Sequence, residues 1–222
     1  MTVLLILFGY LLGSLLSAYW IGRWVGRKDL REYGSGALGG SMVYEHVGRW
    51  WVVPVVVFDV LKATVPAALA LWLDQGYGVA AAAGLAAAVG HNWSIWHRFH
   101  GGRGMGTFAG VWLAIYWPGV VWMAALIGLG WRLRDSAPWL FVSLLTLPIL
   151  SWLTSGPDVV APAAGAMILL TFVKRLEANR RPLPPPGRER RRAILLRLLF
   201  DRDVVSHREW IRRKPEEKCS TG

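Results

Sequence analysis

Long apolar runs separated by short polar connections set the pattern of this chain. Val3 to Val25 reads VLLILFGYLLGSLLSAYWIGRWV, with one charge, Arg23, near its far end. A helix needs about 20 mostly apolar residues to cross the hydrocarbon layer, so this run predicts a first span. No basic segment of a cleaved leader precedes it, and it is expected to be retained. Trp51 to Leu73 predicts a second span, interrupted by Asp59 and Lys62, and Tyr77 to Trp96 an alanine-rich third. Gly104 to Trp131 runs for 28 residues without a charge, with Pro118-Gly119 in its middle. Ala137 to Leu153 and Val159 to Val173 complete the set.

The basic residues give these runs a direction, because connections facing the cytoplasm are enriched in Lys and Arg. Arg27, Lys28, Arg31 and Arg49 follow the first run, Arg98 and Arg103 the third, and Arg132 and Arg134 the uncharged one. The connections at Asp74 to Gly76 and Ser155 to Asp158 carry none. All basic connections share one side only if Gly104 to Trp131 crosses twice, turning at Pro118-Gly119. The expected fold is therefore an all-α integral membrane protein, a bundle of seven transmembrane helices with the amino terminus out and the carboxyl terminus in. The two halves of the long run, about 14 residues each, must be short or thin the bilayer locally. Gly9, Gly13 and Ser17, at four-residue spacing, would let the first helix approach a neighbour closely.

Composition narrows the class. Of 222 residues, 54% are hydrophobic and only 18% charged, against about a quarter in soluble domains. The net charge is +11. From Met1 to Val173 there are ten basic and seven acidic residues, and the remainder of the chain holds fifteen of the 25 basic ones. A single cysteine, Cys219, excludes a disulfide-stapled fold. The 14 Trp set in uncharged apolar runs speak against a nucleic-acid partner. An integral membrane protein with a basic end remains: residues 1–181 as a membrane domain, residues 182–222 as a cytoplasmic tail.

Two inner connections carry candidate chemistry. The first contains Gly34-Ser35-Gly36-Ala37-Leu38-Gly39-Gly40-Ser41, flanked by Arg31 and Arg49. Glycines let successive N–H groups converge on a phosphate, and serine hydroxyls add donors; the same composition also suits a plain turn. The second, GHNWSIWHRFHGGRGMGT, places Gly101, Gly102, Gly104 and Gly106 around Arg103, whose guanidinium can grip an anion in two places. His91, His97 and His100 lie here without a carboxylate or cysteine, so no metal is expected. Asp59 and Lys62 share a helical face, as a structural ion pair or as groups facing the site. His91 is the nearest candidate general base, or else a structural hydrogen-bonding group.

Together these residues resemble the bacterial acyl-phosphate:glycerol-3-phosphate acyltransferases, the PlsY family. The resemblance runs from Leu4 to about Arg181 and includes YLLGSLLSAYWIGR, DLREYGSG, DVLK at Asp59 to Lys62, Gly90-His91 and, most specifically, FHGGRGMGT. It implies a small seven-helix membrane enzyme that transfers a fatty acyl group from acyl phosphate to the 1-hydroxyl of glycerol 3-phosphate, in phospholipid synthesis at the bacterial cytoplasmic membrane. It needs no cofactor, and its motifs face the cytoplasm. Ser35, Gly36, Gly39, Gly40 and Ser41 would surround a phosphate with Arg49, Gly101, Gly102 and Gly104. Arg103 would be the charged clamp in place of a lysine, and Arg175 and Glu177 would stand in a third motif. Ser35, His91 and Arg103 are the candidate catalytic residues. The chain departs from the family pattern in places: Ala37 and Met42 replace asparagines, Glu45 an arginine, His100 a lysine, Arg175 a histidine and Ala178 an asparagine, with Asn179 one residue further on. The reversed charge at Glu45 implies altered or weakened acceptor recognition. The rival reading is a non-catalytic homologue that binds an anionic lipid or a transported anion.

Beyond the stiff PLPPPG linker, Ile194, Leu195, Leu198, Leu199 and Phe200 form an apolar stripe bordered by arginines. That is the pattern of a helix lying on an anionic membrane surface, with docking to a partner as the alternative.

Overall fold

The structure is a computed structural model that describes residues 1–133, 135–180 and 182–212. Arg134, Arg181 and Cys219, named above, lie outside the described residues. Every regular element among the described residues is helical: α1 (Thr2–Gly13), α2 (Ser17–Trp24), α3 (Gly40–His46), α4 (Val52–Trp72), α5 (Gly76–Asn92), α6 (Met105–Ile115), α7 (Trp117–Arg132), α8 (Ala137–Leu153), α9 (Val160–Glu177), α10 (Arg188–Phe200) and α11 (His207–Ile211). Helix α1 packs on α4 and α5, α6 on α4 and α5, and α7 to α9 follow one another, with α9 returning to α5.

The first apolar run is not one helix. Ser14 Oγ bonds back to the Tyr10 carbonyl at 2.8 Å, and Leu16 is extended at φ −112° and ψ 94°. A break exposes carbonyls that hydrocarbon cannot satisfy, and here the protein supplies donors. Ser94 Oγ donates to Ser14 O at 2.6 Å and Lys62 Nζ to Leu15 O at 3.0 Å. The 28-residue run also breaks, at Tyr116 (φ −162°, ψ 80°) rather than at Pro118-Gly119. Pro118 instead sits in the first turn of α7, where its missing N–H would have had no partner anyway. The third run ends its helix at Asn92, short of the expected Trp96.

Close packing rests on small residues. The core where α4, α5 and α6 meet is lined by Ala63, Ala67, Ala83 and Ala87 against Phe108, Val111 and Trp112. A Cβ on Gly13 would lie 2.1 Å from the Ala87 carbonyl oxygen, so the backbones of α1 and α5 touch there. The outer surface is apolar: Leu4, Leu7 and Leu11 of α1, Val53, Val57, Leu61 and Val65 of α4 and Leu145 and Ile149 of α8 are all exposed. Such a belt suits lipid, not water. Two stretches, Thr2–Trp24 and Arg49–Trp72, are long and apolar enough to cross a bilayer unaided.

The segment after the linker is not a detached tail. Helix α10 lies against α8 and α9, burying Ala193 and Arg197 and leaving Leu195 and Leu199 exposed. Further on, Trp210 and Ile211 join Leu30, Leu38, Met42 and Val43 in a second apolar cluster beneath the first glycine-rich loop. Packing therefore continues across the expected boundary between residues 181 and 182.

Candidate active site

The two glycine-rich loops meet. The Leu38 N–H donates to the Gly101 carbonyl at 3.1 Å, and the Gly102 N–H to the His91 carbonyl at 3.0 Å. Gly102 is required by contact: a Cβ there would stand 2.0 Å from His91 Nε2 and 2.8 Å from Leu38 O.

A cavity of about 560 Å³ opens against this junction. Its wall includes Ser35, Gly40, Ser41, Arg103 and Arg175, together with Ala37 and Glu45. A second hollow of about 320 Å³ lies beside it, lined by Arg31, Gly36 and Asn179, and Ser35 borders both. Ser35 Oγ accepts the Ala37 N–H at 3.1 Å, which leaves its own O–H to donate. Gly39 is the extended residue that opens α3. Gly39, Gly101, Gly102 and Gly104 do not line the cavity: Gly101 and Gly102 carry the contact between the loops, and Gly104, at φ +79°, starts α6.

Arg103 is held from two sides. Its Nη1 donates to the Lys174 carbonyl at 3.0 Å, and its Nε lies 2.9 Å from the Asp201 carboxylate. Arg175 also reaches the wall, but its donors go to main-chain carbonyls: Leu198 at 2.7 Å, Leu199 at 3.2 Å and Ala137 at 2.7 Å. It ties α9 to α8 and to the end of α10.

Several expected site residues stand elsewhere. Arg49 lies over the Trp50 ring at 4.9 Å and does not line the cavity. Glu177 accepts from Lys174 Nζ at 2.9 Å and from Trp93 Nε1 at 3.1 Å. His91 is 2% exposed, with Nδ1 2.8 Å from Lys62 Nζ and Nε2 covered by Gly102. A lysine ammonium has only donors, and Asp59 Oδ1 stands 3.4 Å from the same Nδ1. His91 thus sits in a buried cluster with Lys62 and Asp59 and does not line the cavity. Asp59 Oδ1 lies 2.8 Å from Lys62 Nζ, the same ammonium bonds the Leu15 carbonyl of the broken first helix, and neither side chain lines the cavity. The three histidines do not converge, since His97 faces Ser94 and His100 is within 3.2 Å of the Arg98 carbonyl.

Near the smaller hollow, Arg31 donates to Asp29 from both its backbone and its guanidinium. That bonding holds the Asp29 carboxyl below the usual carboxylate range and raises Arg31 in return. Burial pushes the His97 imidazole below its ordinary value.

Other groups at the site were not anticipated. Asn179 (φ 53°) stands near Gly36, and neither of its amide atoms has a hydrogen-bond partner. Its signal was the asparagine displaced by one position. Asp201, Arg208, Trp210 and Arg212 line the larger cavity from the C-terminal segment, and nothing in their local sequence announced it. Three of the departures from the family pattern face that segment. Met42 shares the apolar cluster of Trp210 and Ile211, Glu45 pairs with Arg212, and Arg175 binds the end of α10.

Known proteins share this architecture. A family described as "Glycerol-3-phosphate acyltransferase" matches residues 3–183. Among relatives, glycerol-3-phosphate acyltransferase 4 of Dehalococcoides mccartyi (strain CBDB1) is 32% identical, covering 92% of this chain and 90% of the relative. The glycerol-3-phosphate acyltransferase of Pseudomonas aeruginosa (strain LESB58) is 37% identical over 86% of this chain and 99% of the relative. The crystal structure of PlsY (YgiH), an integral membrane glycerol 3-phosphate acyltransferase, in its glycerol 3-phosphate form, superposes with a TM-score of 0.71. It is 26% identical and covers 81% of this chain and 90% of that one. The chain is a membrane protein and belongs to the glycerol-3-phosphate acyltransferase family.

Proposed function

We propose that this protein transfers a fatty acyl group from acyl phosphate to the 1-hydroxyl of glycerol 3-phosphate, releasing lysophosphatidic acid and inorganic phosphate. The observation that carries this reading is a cavity of about 560 Å³ walled by both Ser35 and Arg103, distant in sequence and on loops joined through the Leu38–Gly101 contact. Its residues suit an anionic, phosphorylated ligand, and the relatives' names supply the acceptor.

The chemistry asks little of the protein. The acceptor oxygen attacks the acyl carbonyl carbon, and the carbon–oxygen bond to phosphorus breaks. Phosphate leaves with the electron pair, and the hydroxyl proton passes to a phosphate oxygen. Because the donor is already activated, catalysis is mainly positioning and stabilisation of the departing charge. Ser35 Oγ–H and Arg103 supply donors for that charge, while His91 braces the loop instead of moving a proton. Glu45 is neutralised by Arg212, which removes the main support for a non-catalytic homologue.

In this reading the chain crosses the bacterial cytoplasmic membrane seven times, amino terminus out, with the cavity on the basic, cytoplasmic side. Reporter fusions at Asp74 and Arg132 should fall on opposite faces. Purified protein given acyl phosphate and glycerol 3-phosphate should release phosphate and lysophosphatidic acid in equal amounts. Neither product appearing would overturn the assignment.

A further inference from the structure

The cavity's charges can be accounted for one by one. Three carboxylates face it or border it, and each has an arginine: Asp201 with Arg103 at 2.9 Å, Asp135 with Arg202 at 2.9 Å, and Glu45 with Arg212. Lys174 is matched by Glu177 at 2.9 Å. Arg175 has committed its donors to three carbonyls. One cationic side chain on the wall, Arg208, makes neither an ion pair nor a side-chain hydrogen bond among the described residues, and it is exposed on α11. Its helix is fixed by independent contacts. Trp210 and Ile211 are buried in the apolar cluster under the first loop, and His46 Nε2–H donates to the Ile211 carbonyl at 2.8 Å.

We propose that the C-terminal segment completes the substrate site, with Arg208 a binding residue for the acceptor's phosphate and the Glu45–Arg212 pair the latch that seats it. A guanidinium with unused donors is suited to a tetrahedral dianion, and this one lines the same cavity as Ser35 and Arg103. The segment lies beyond residues 3–183, the stretch matched by the family, so the inference concerns a part of this chain that the family core does not supply. It rests on the acyl-transfer reading for the identity of the ligand, but not for the existence of the anion seat.

The test uses the full-length protein in detergent with Arg208→Ala, Arg208→Lys, Glu45→Gln and Arg212→Gln. Loss of a charged hydrogen bond predicts an increase in KM for glycerol 3-phosphate of about tenfold or more in Arg208→Ala. The kcat and the KM for acyl phosphate should change less than about threefold, and lysine should restore part of the loss. Breaking the latch from either side should raise the same KM, and exchanging the two charges (Glu45→Arg with Arg212→Glu) should recover it. Calorimetric titration with inorganic phosphate gives a second readout, in which Arg208→Ala weakens binding by a similar factor. Normal KM and phosphate affinity in Arg208→Ala would overturn the proposal even if acyl transfer is intact. Arg208-dependent phosphate binding in a protein that transfers no acyl group would sustain the seat and remove the enzyme reading. A wild-type protein that neither binds phosphate nor transfers would remove both.

Discussion

The backbone N–H of Leu38 donates to the carbonyl of Gly101 at 3.1 Å, and this one bond fastens the two loops whose residues wall the cavity. It forms only because Gly102, the next residue, carries no side chain. The two loops leave the membrane helices at different points, so their relative placement depends on contacts like this one.

Gly102→Ala tests that dependence. The added methyl would meet His91 Nε2 at 2.0 Å and the Leu38 carbonyl at 2.8 Å, and neither is the end of a flexible chain. Overpacking of this kind costs about 1–3 kcal/mol, and here the loop must move as well. Thermal unfolding in detergent should show a lowered Tm, accompanied by loss of acyl transfer. Gly128→Ala is the control. Gly128 is exposed inside α7 with no atom near a built Cβ, and alanine is favoured over glycine there by about 0.5–1 kcal/mol, so its Tm should hold or rise.

The Asp59–Lys62 pair makes a different prediction, because the lysine also serves Leu15 and His91. Lys62→Met leaves a buried carboxylate without its cation and an unsatisfied carbonyl at the break in the first helix. Removing one partner of a buried pair costs about 3–5 kcal/mol. Adding Asp59→Asn should return part of that loss, so the double variant is less destabilised than the sum of the singles. A strictly additive result, read from unfolding midpoints of all four proteins, would mean that the pair does not interact.

These two cases mark what was legible in the sequence. Apolar runs predict helices because hydrocarbon demands about 20 apolar residues and closed hydrogen bonding, and every regular element among the described residues is helical. The break at Ser14–Leu16 was hidden, since what permits it is a donor from Lys62 and another from Ser94, both remote in sequence. In the same way, glycine-rich surroundings single out Ser35 and Arg103, which line the cavity, whereas Arg49 follows only from flanking the first loop and Glu177 only from the family resemblance, and neither lines it. The apolar stripe bordered by arginines predicts a helix in the C-terminal segment, and α10 forms there. Where it rests depends on Trp210, Ile211 and Arg175, whose partners no local pattern encodes.

His97 predicts a pH dependence of stability. Ser94 gives its hydroxyl hydrogen to Ser14 O at 2.6 Å, so His97 Nδ1, 2.9 Å from the same oxygen, must donate to it. Protonation then falls on Nε2, and burial disfavours it, holding the folded-state pKa below the ordinary value. The unfolded chain takes up the proton first as pH falls through about 6.5. Stability contributed by the neutral ring is therefore present above that pH and declines below it, until the folded state also protonates. His97→Gln keeps a donor toward Ser94 without titrating, and its Tm should fall less than that of the wild type between pH 7.5 and 5.5. Equal losses would assign the pH sensitivity elsewhere.

Arg103 and Asp201 make the sharpest prediction, because a phosphorylated ligand and a carboxylate want the same guanidinium. With Asp201 2.9 Å from Arg103 Nε, an incoming dianion must either share the cation or displace α10's last turn. Both options oppose binding. The repulsion between a carboxylate and a phosphate a few ångströms apart is about 1 kcal/mol or more at water-like screening and larger in a partly dry cavity. Asp201→Asn keeps the size of the side chain while removing the charge. It should lower KM for glycerol 3-phosphate by about threefold to tenfold with kcat nearly unchanged, and added salt should narrow the difference because screening weakens the wild-type repulsion most. An unchanged KM with a reduced kcat would give Asp201 the opposite part, that of orienting Arg103 for the departing phosphate, since an uncharged partner would then hold the guanidinium less firmly in the transition state.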